Sequence, residues 1–241
     1  LTITNAAAYS VAYLRGVGTD AVLAGAAPSV PFYLDGVALL GTQGSADTLG
    51  RIKRVEVTKG PQGTLFGRNA TGGAISIITP EPGTEFGGDL KVEFGNYNER
   101  NVVGYVDLPI LESLSASLSG FNNERDNYYT NDYVAADGSR TGVLDIESRG
   151  FRTKLRWDAS SSFALTGSYS YAESSNNCGL TFENTRVAPV LGVLPILPED
   201  PKADRRINYD QLAGCEVNSY LASVVGTWQL PWLDLKMILS D

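Results

Sequence analysis

Arg149–Ser160 reads RGFRTKLRWDAS, and the run at Phe163–Tyr171 reads FALTGSYSY. In the first, Phe151, Thr153, Leu155 and Trp157 fall on one face, with Arg152, Lys154, Arg156 and Asp158 on the other. In the second, Phe163, Leu165, Gly167, Tyr169 and Tyr171 lie opposite Ala164, Thr166, Ser168 and Ser170. Successive side chains of a strand point to opposite faces, so this period of two predicts strands. Ser113–Ser119 repeats it, alternating serine with Leu114, Ala116 and Leu118.

Working outward, the same pattern predicts seven strands, at about 86–95, 100–109, 113–123, 148–159, 162–173, 218–230 and 233–241. Most approach the roughly 9–11 residues that a tilted membrane-spanning strand needs, against about 5–6 for a typical soluble strand. After a short turn near Asn96–Glu99 the connections alternate. Those at 110–112, 159–161 and 231–232 are tight, and those at about 124–147 and 174–217 are long. Strand parity puts the tight links on one side and the long ones on the other, as in outer-membrane barrels. Trp157, Trp228 and Trp232 sit near the tight turns, while Tyr128, Tyr129, Tyr133, Tyr171 and Tyr220 sit toward the long connections. Two aromatic bands suit two membrane interfaces. A soluble β-sandwich with one wet face is the alternative, and its strands are usually shorter.

Composition narrows the function classes. The net charge is −8 with no basic cluster, which argues against a nucleic-acid binder. There is no histidine, the commonest general base and transition-metal ligand, and two cysteines cannot build a cysteine-rich zinc site. No run of 18 apolar residues occurs, so no transmembrane helix is expected. Alternating barrel strands escape that test, and the mean hydropathy of −0.09 fits them. The sequence starts at Leu1-Thr2-Ile3-Thr4 without a signal peptide, which a mature domain and a truncated sequence would share.

Residues 1–82 have a different texture, with short apolar runs broken by glycine. Val55–Pro80 reads VEVTKGPQGTLFGRNATGGAISIITP. Phe32–Leu34, Val55–Thr58 and Ala74–Thr79 read as short strands. Gly36, Gly60, Gly63, Gly67, Gly72 and Gly73 mark turns or close backbone approaches, and Pro61 fixes a turn. These residues describe a compact mixed sheet and nothing catalytic.

The run Lys59-Gly60-Pro61-Gln62-Gly63-Thr64-Leu65-Phe66-Gly67-Arg68-Asn69, followed by Thr71-Gly72-Gly73-Ala74-Ile75, resembles the hallmark plug segment of the TonB-dependent outer-membrane receptors. Leu14-Arg15-Gly16-Val17-Gly18 resembles that plug's R-G element. Tyr33-Leu34-Asp35-Gly36-Val37 resembles its V-D-G-V turn, and Arg54-Val55-Glu56-Val57 its R-I-E-V strand. The likeness is close over about 13–80; the strand pattern carries it further. Lys59 stands where the family usually has arginine, which keeps charge but loses bidentate pairing.

The resemblance implies a mainly β fold. A partial plug at 1–82, a small mixed sheet with short helices and turns, precedes the first seven or so antiparallel strands of a large transmembrane barrel at 83–241. Such barrels have about 22 strands. The plug's N-terminal part and its TonB-contacting segment are expected outside this sequence. The implied function is active uptake of a scarce nutrient, such as an iron–siderophore complex, across a Gram-negative outer membrane. The implied partners are the TonB–ExbB–ExbD complex, an extracellular ligand and outer-membrane lipid, with no cofactor, catalytic residue or nucleic acid. In such a receptor Arg15, Arg51, Arg54, Glu56 and Arg68 are candidates for plug–barrel ion pairs with lumen-facing Arg152, Lys154, Arg156 or Glu93, or else are ordinary surface charge. A passive or structural barrel, and a fragment without function of its own, are the alternatives.

Other signals weigh less. Gly16-Val17-Gly18 with Ala21 spells a dinucleotide-binding fingerprint, but Gly25, Pro28 and Pro31 deny it a helix. Asn69-Ala70-Thr71 is a chance sequon in a bacterial plug loop. Glu124 with Asp126, and Glu199 with Asp200, read as solvated loop charges. Cys178 and Cys215 bracket the second long connection on the oxidising side. A disulfide there would close 38 residues and add roughly 4 kcal/mol; two buried thiols are the other reading. Val187–Leu197 is an apolar, proline-rich stretch that packs on its own loop or meets ligand at the receptor mouth.

Overall fold

The structure is a computed structural model that describes residues 1–6, 9–19, 28–39, 50–67, 69–131, 142–143, 145–177, 206–207 and 214–241. The alternating segments form one antiparallel sheet. Its strands are β7 (Gly87–Phe94), β8 (Arg100–Leu111), β9 (Leu114–Arg125), β12 (Ile146–Ser160), β13 (Phe163–Asn177), β15 (Gly214–Leu230) and β16 (Leu233–Ser240). They pair in the order β16-β15-β13-β12-β9-β8-β7, a meander in chain order. Pro109, which has no N–H for the ladder, sits where the β8–β9 register shifts beside the tight turn.

This sheet inverts the usual distribution of polarity. Leu155 and Trp157 are each 49% exposed and Met237 is 61% exposed on one face. The opposite face buries Ser115, Ser117, Ser119, Arg152, Lys154, Thr166 and Ser223. In water such an apolar surface would be a liability. On a membrane-spanning wall it is the lipid face, and the polar face is the lumen. One row of the inner face runs Ser117, Lys154, Ser168, Ser223, Ser240 across five neighbouring strands. Phe163 and Trp228 meet edge to face, 5.9 Å between centroids, near the tight-turn end.

Against the inner face sits a four-stranded mixed sheet. Its strands are β3 (Phe32–Leu34), β4 (Val37–Ala38), β5 (Arg54–Lys59) and β6 (Gly73–Ile78), in the order β4-β3-β6-β5, with β3 and β6 parallel. Its core gathers Ala12, Leu14, Val30, Phe32, Leu34, Ile75 and Ile77, and Leu221 of β15 packs onto it. Burying one side chain of this size is worth about 1.5–3 kcal/mol. The single helical turn α1 (Gly63–Phe66) lies between β5 and β6. Gly73 has φ +140°, and a Cβ there would lie 2.2 Å from the Thr58 carbonyl oxygen.

The structure departs from the expectations in three ways. The strands flanking the long connections run past their predicted ends, β13 to Asn177 and β15 from Gly214, because Asn177 still pairs with Gly214. Backbone pairing persists there after the apolar-out pattern has stopped. Leu1–Thr4 starts a hairpin of β1 (Thr2–Ala6) and β2 (Tyr9–Tyr13), which lacks a clear alternating signature. A small sheet of β10 (Tyr129–Asn131), β11 (Gly142–Val143) and β14 (Arg206–Ile207) forms within the two long connections, from pieces too short to show a period.

Candidate functional site

Two glycine turns on the small unit are built alike. At Leu34-Asp35-Gly36-Val37, Asp35 has φ +52° and Gly36 +94°; at Leu14-Arg15-Gly16-Val17, Arg15 has φ +53° and Gly16 +81°. Two consecutive left-handed residues make the tight hairpin turn in which glycine is favoured at the second place. A Cβ on Gly36 would lie 2.8 Å from Ile238 Cδ1 of β16, so the turn also abuts the wall. The non-glycine residue accepts an unfavourable backbone region and its side chain leaves at a fixed angle.

That angle carries the Asp35 carboxylate into a polar junction. Oδ1 accepts the Thr79 backbone N–H at 2.8 Å, and Oδ2 accepts the Thr79 hydroxyl at 2.6 Å. Lys154 Nζ, on the inner face of β12, lies 3.1 Å from Oδ2. The same ammonium lies 3.2 Å from Glu81 Oε1 and is 3% exposed. Glu81 Oε2 accepts the Thr166 hydroxyl at 3.4 Å, with Arg156 at 3.9 Å. Arg156 makes its closer pair with Asp158, at 2.7 Å. Arg152, one inner-face position from Lys154, is buried. Removing one partner of a buried pair typically costs about 3–5 kcal/mol, so this junction outweighs the exposed pairs around it.

The segment after β6 is tied to the wall as well. The Gly83 N–H donates to Asp107 Oδ1 at 2.7 Å, and Tyr105 donates to the same oxygen at 2.6 Å. On another side, the Arg51 N–H donates to Ser119 Oγ at 3.0 Å and its guanidinium pairs with Asp89 of β7 at 3.2 Å, both partly exposed.

The charges proposed for the junction distribute differently from the expectation. The wall cations Lys154 and Arg156 are met by Asp35 and Glu81, which the sequence reading had not assigned to them. Arg51 does reach the barrel sheet, at Asp89 rather than Glu93. Arg54 pairs with Glu56 within β5 at 2.6 Å, and Glu93 pairs with Lys91 within β7 at 2.9 Å. Side chains two apart on a strand share a face, which favours these local pairs. Arg15 is exposed on its turn.

The glycine segment is pinned by its backbone. The Gly60 N–H donates to Gly72 O at 3.2 Å, Gln62 N–H to Ala70 O at 2.8 Å, and Gly72 N–H to Ser29 O at 3.0 Å. Gly60 and Gly67 have φ of +86° and +79°. Gly63 opens α1, Phe66 closes it, and Pro61 and Asn69 are exposed beside it. The Tyr33 hydroxyl donates to Phe66 O, and the two rings meet edge to face at 4.9 Å. Burial pushes the Tyr33 phenol above its ordinary value. Arg68, Cys178 and Val187–Leu197 lie outside the described residues. Cys215 starts within β15, paired with Asn176 two residues before Cys178. Among the described residues, no group of three or more His, Cys, Asp or Glu is placed to hold a metal ion.

Sequence reasoning missed Thr79, Glu81, Tyr105, Asp107 and Asp89. The one available signal was Thr79-Pro80-Glu81-Pro82, a single acid between two prolines at the joint of the two textures.

Comparison with known proteins adds to this geometry. Residues 2–74 match the family described as TonB-dependent Receptor Plug Domain. The chain is 32% identical over 104 residues to the ferrioxamine B receptor of Salmonella typhimurium, covering 41% of this chain and 15% of that protein. It is 26% identical over 151 residues to the iron-regulated outer membrane virulence protein of Vibrio cholerae, covering 59% and 22%. Its fold matches the ferric yersiniabactin uptake receptor FyuA of Yersinia pestis with a TM-score of 0.76 at 19% identity, over 99% of this chain and 35% of that one. The chain thus spans between about a seventh and a third of the lengths of these relatives.

Proposed function

We propose, starting from a chain of the TonB-dependent receptor family whose residues 2–74 match the plug domain, that the whole protein is an active importer of an iron–siderophore complex in a Gram-negative outer membrane. The family is one of receptors and transporters rather than of enzymes. We divide the chain into a plug, residues 1–82, and the first barrel strands, 83–241. Ligand binds on the long-connection side. The TonB–ExbB–ExbD complex, drawing on the proton-motive force, pulls the plug and opens a path along the inner face of the wall.

The observation that carries this reading is the Asp35–Lys154–Glu81 junction, a charge contact in which a buried barrel ammonium meets a plug turn and the half-exposed Glu81. It closes the path at rest, and a pull on the plug sheet loads it directly. In the plug motif, Arg15-Gly16 and Asp35-Gly36 set the turns. Gly60, Pro61, Gln62, Gly63, Phe66, Gly67, Asn69, Gly72 and Gly73 shape the segment between β5 and β6, and Arg68 belongs to the same motif in sequence. Arg54 and Glu56 pair along β5.

Growth under iron limitation tests the reading. Deleting the parent gene abolishes growth on at least one ferric siderophore supplied as sole iron source, and the full-length gene restores it. Unchanged growth across a panel of hydroxamate, catecholate and carboxylate complexes would remove iron–siderophore uptake as the function.

A further inference from the structure

Lys154 stands between two carboxylates of the plug region, Asp35 on a turn and Glu81 near its end, that are held by different contacts. Asp35 is held by the plug, through the Thr79 N–H and hydroxyl at 2.8 and 2.6 Å. Glu81 is held by the barrel. Its Oε2 takes the Thr166 hydroxyl at 3.4 Å, and Gly83 beyond it binds Asp107 at 2.7 Å. Pro80 and Pro82 flank it and stiffen the joint. In the importer reading, the plug sheet carries Asp35 with it while the contacts to Thr166 and Asp107 keep Glu81 at the wall.

We propose that Glu81 is a standing counter-ion for Lys154, a positioning residue that weakens the hold of Lys154 on Asp35 and sets how readily the plug releases. The inference rests on the importer reading, in which the plug moves. Two carboxylates on one ammonium repel each other, so each lowers the attraction felt by the other. Without Glu81, the departure of Asp35 would leave the Lys154 ammonium, 3% exposed at rest, with no carboxylate beside it as the face begins to open. Both effects act in one direction. Removing this ion-pair partner tightens the plug instead of loosening it.

The test is single-molecule pulling on the full-length receptor in liposomes, with the handle on the plug's N-terminus. Glu81→Gln raises the release force and slows release at constant force by at least about tenfold. Lys154→Met lowers the force, and Glu81→Gln added to Lys154→Met changes nothing further. A joint that merely braces the structure gives the reverse, a lower force for Glu81→Gln in both backgrounds. That result, or equal forces with and without Glu81, overturns the proposal. A second variant needs no loss of charge at the junction. A Cβ on Gly83 would lie 3.0 Å from Asp107 Cγ, so Gly83→Cys with Asp107→Cys places two sulfurs within reach. The oxidised pair releases its plug at the force of the reduced pair; a plug retained by the crosslink means that the joint travels with it, and the proposal fails. Pulling reads the plug and not the cargo. A receptor that imports no ferric siderophore fails the importer reading alone, and a wrong sign in force fails Glu81 alone.

Discussion

The Lys154 ammonium lies 3.1 Å from the Asp35 carboxylate across the seam between barrel wall and plug turn. A third charge, Glu81, completes the contact from the joint. Lys154→Glu places three carboxylates together where there had been a buried pair, at a cost of about 3–5 kcal/mol in plug seating. Cells expressing the full-length variant become sensitive to a bulky glycopeptide antibiotic that intact outer membrane excludes. Asp35→Lys combined with Lys154→Glu recovers part of the barrier. Unaltered antibiotic resistance in Lys154→Glu would mean that the contact does not seat the plug.

The polarity of β12 makes a second test. Leu155 is on the exposed apolar face and Lys154 on the buried one. Leu155→Arg puts a charge toward lipid and costs about 2–4 kcal/mol if the site is near the bilayer midplane. Leu155→Met costs under about 1.5 kcal/mol. Urea unfolding of the full-length receptor in liposomes measures both. Equal midpoints for the two variants would place the apolar face away from lipid.

How far the sequence foretold this arrangement depended on how many constraints each residue met at once. Phe151, Thr153, Leu155 and Trp157 must suit lipid while Arg152, Lys154 and Arg156 suit a polar lumen, so their alternation is plain and β12 was readable to within two residues at each end. Past Glu173 backbone pairing persists, with β12 to Ser175 and with β15 to Asn177, and backbone pairing leaves no side-chain pattern. The junction was half legible. The three wall cations stand out on one face, but Asp35 sits before a glycine and so signals a turn rather than a charge partner. Glu81 and Thr79 lie on no repeating element, so only the three-dimensional path of the joint brings them to Lys154.

Two glycines of the plug segment are expected to behave oppositely. Gly73→Ala forces a Cβ to 2.2 Å from the Thr58 carbonyl oxygen at φ +140°, which displaces β5 from β6. A loss of more than about 3 kcal/mol is expected, on the scale of the larger single-site effects. Gly63→Ala meets nothing within 4 Å inside α1 and is neutral or stabilising by about 0.4–1 kcal/mol. Protease protection of the plug in the full-length receptor separates the two. Similar protection of both variants would contradict the packing at β5 and β6.

Tyr33 adds a pH dependence. Burial raises its folded pKa above the ordinary 10.0, so the neutral phenol is the form the fold favours. Its contribution is complete below about pH 10 and is lost as pH rises through the raised folded value. Tyr33→Phe flattens that alkaline loss. Urea midpoints between about pH 9 and pH 12 for the two proteins show the difference, and parallel curves would contradict it.

Cys178 and Cys215 are expected to be joined in protein taken from the outer membrane. Alkylation without reductant then leaves both unmodified in mass spectrometry, and prior reduction exposes both. Two alkylated thiols in the unreduced protein would exclude the bond.

The central claim is that this plug is pulled open by cellular energy. Accumulation of iron-55 supplied as ferric siderophores, measured in cells carrying the full-length receptor with and without a protonophore, tests it directly. Binding at the surface is expected in both conditions and accumulation only while the proton-motive force stands. Accumulation that survives the protonophore would make the protein a passive pore and contradict the account.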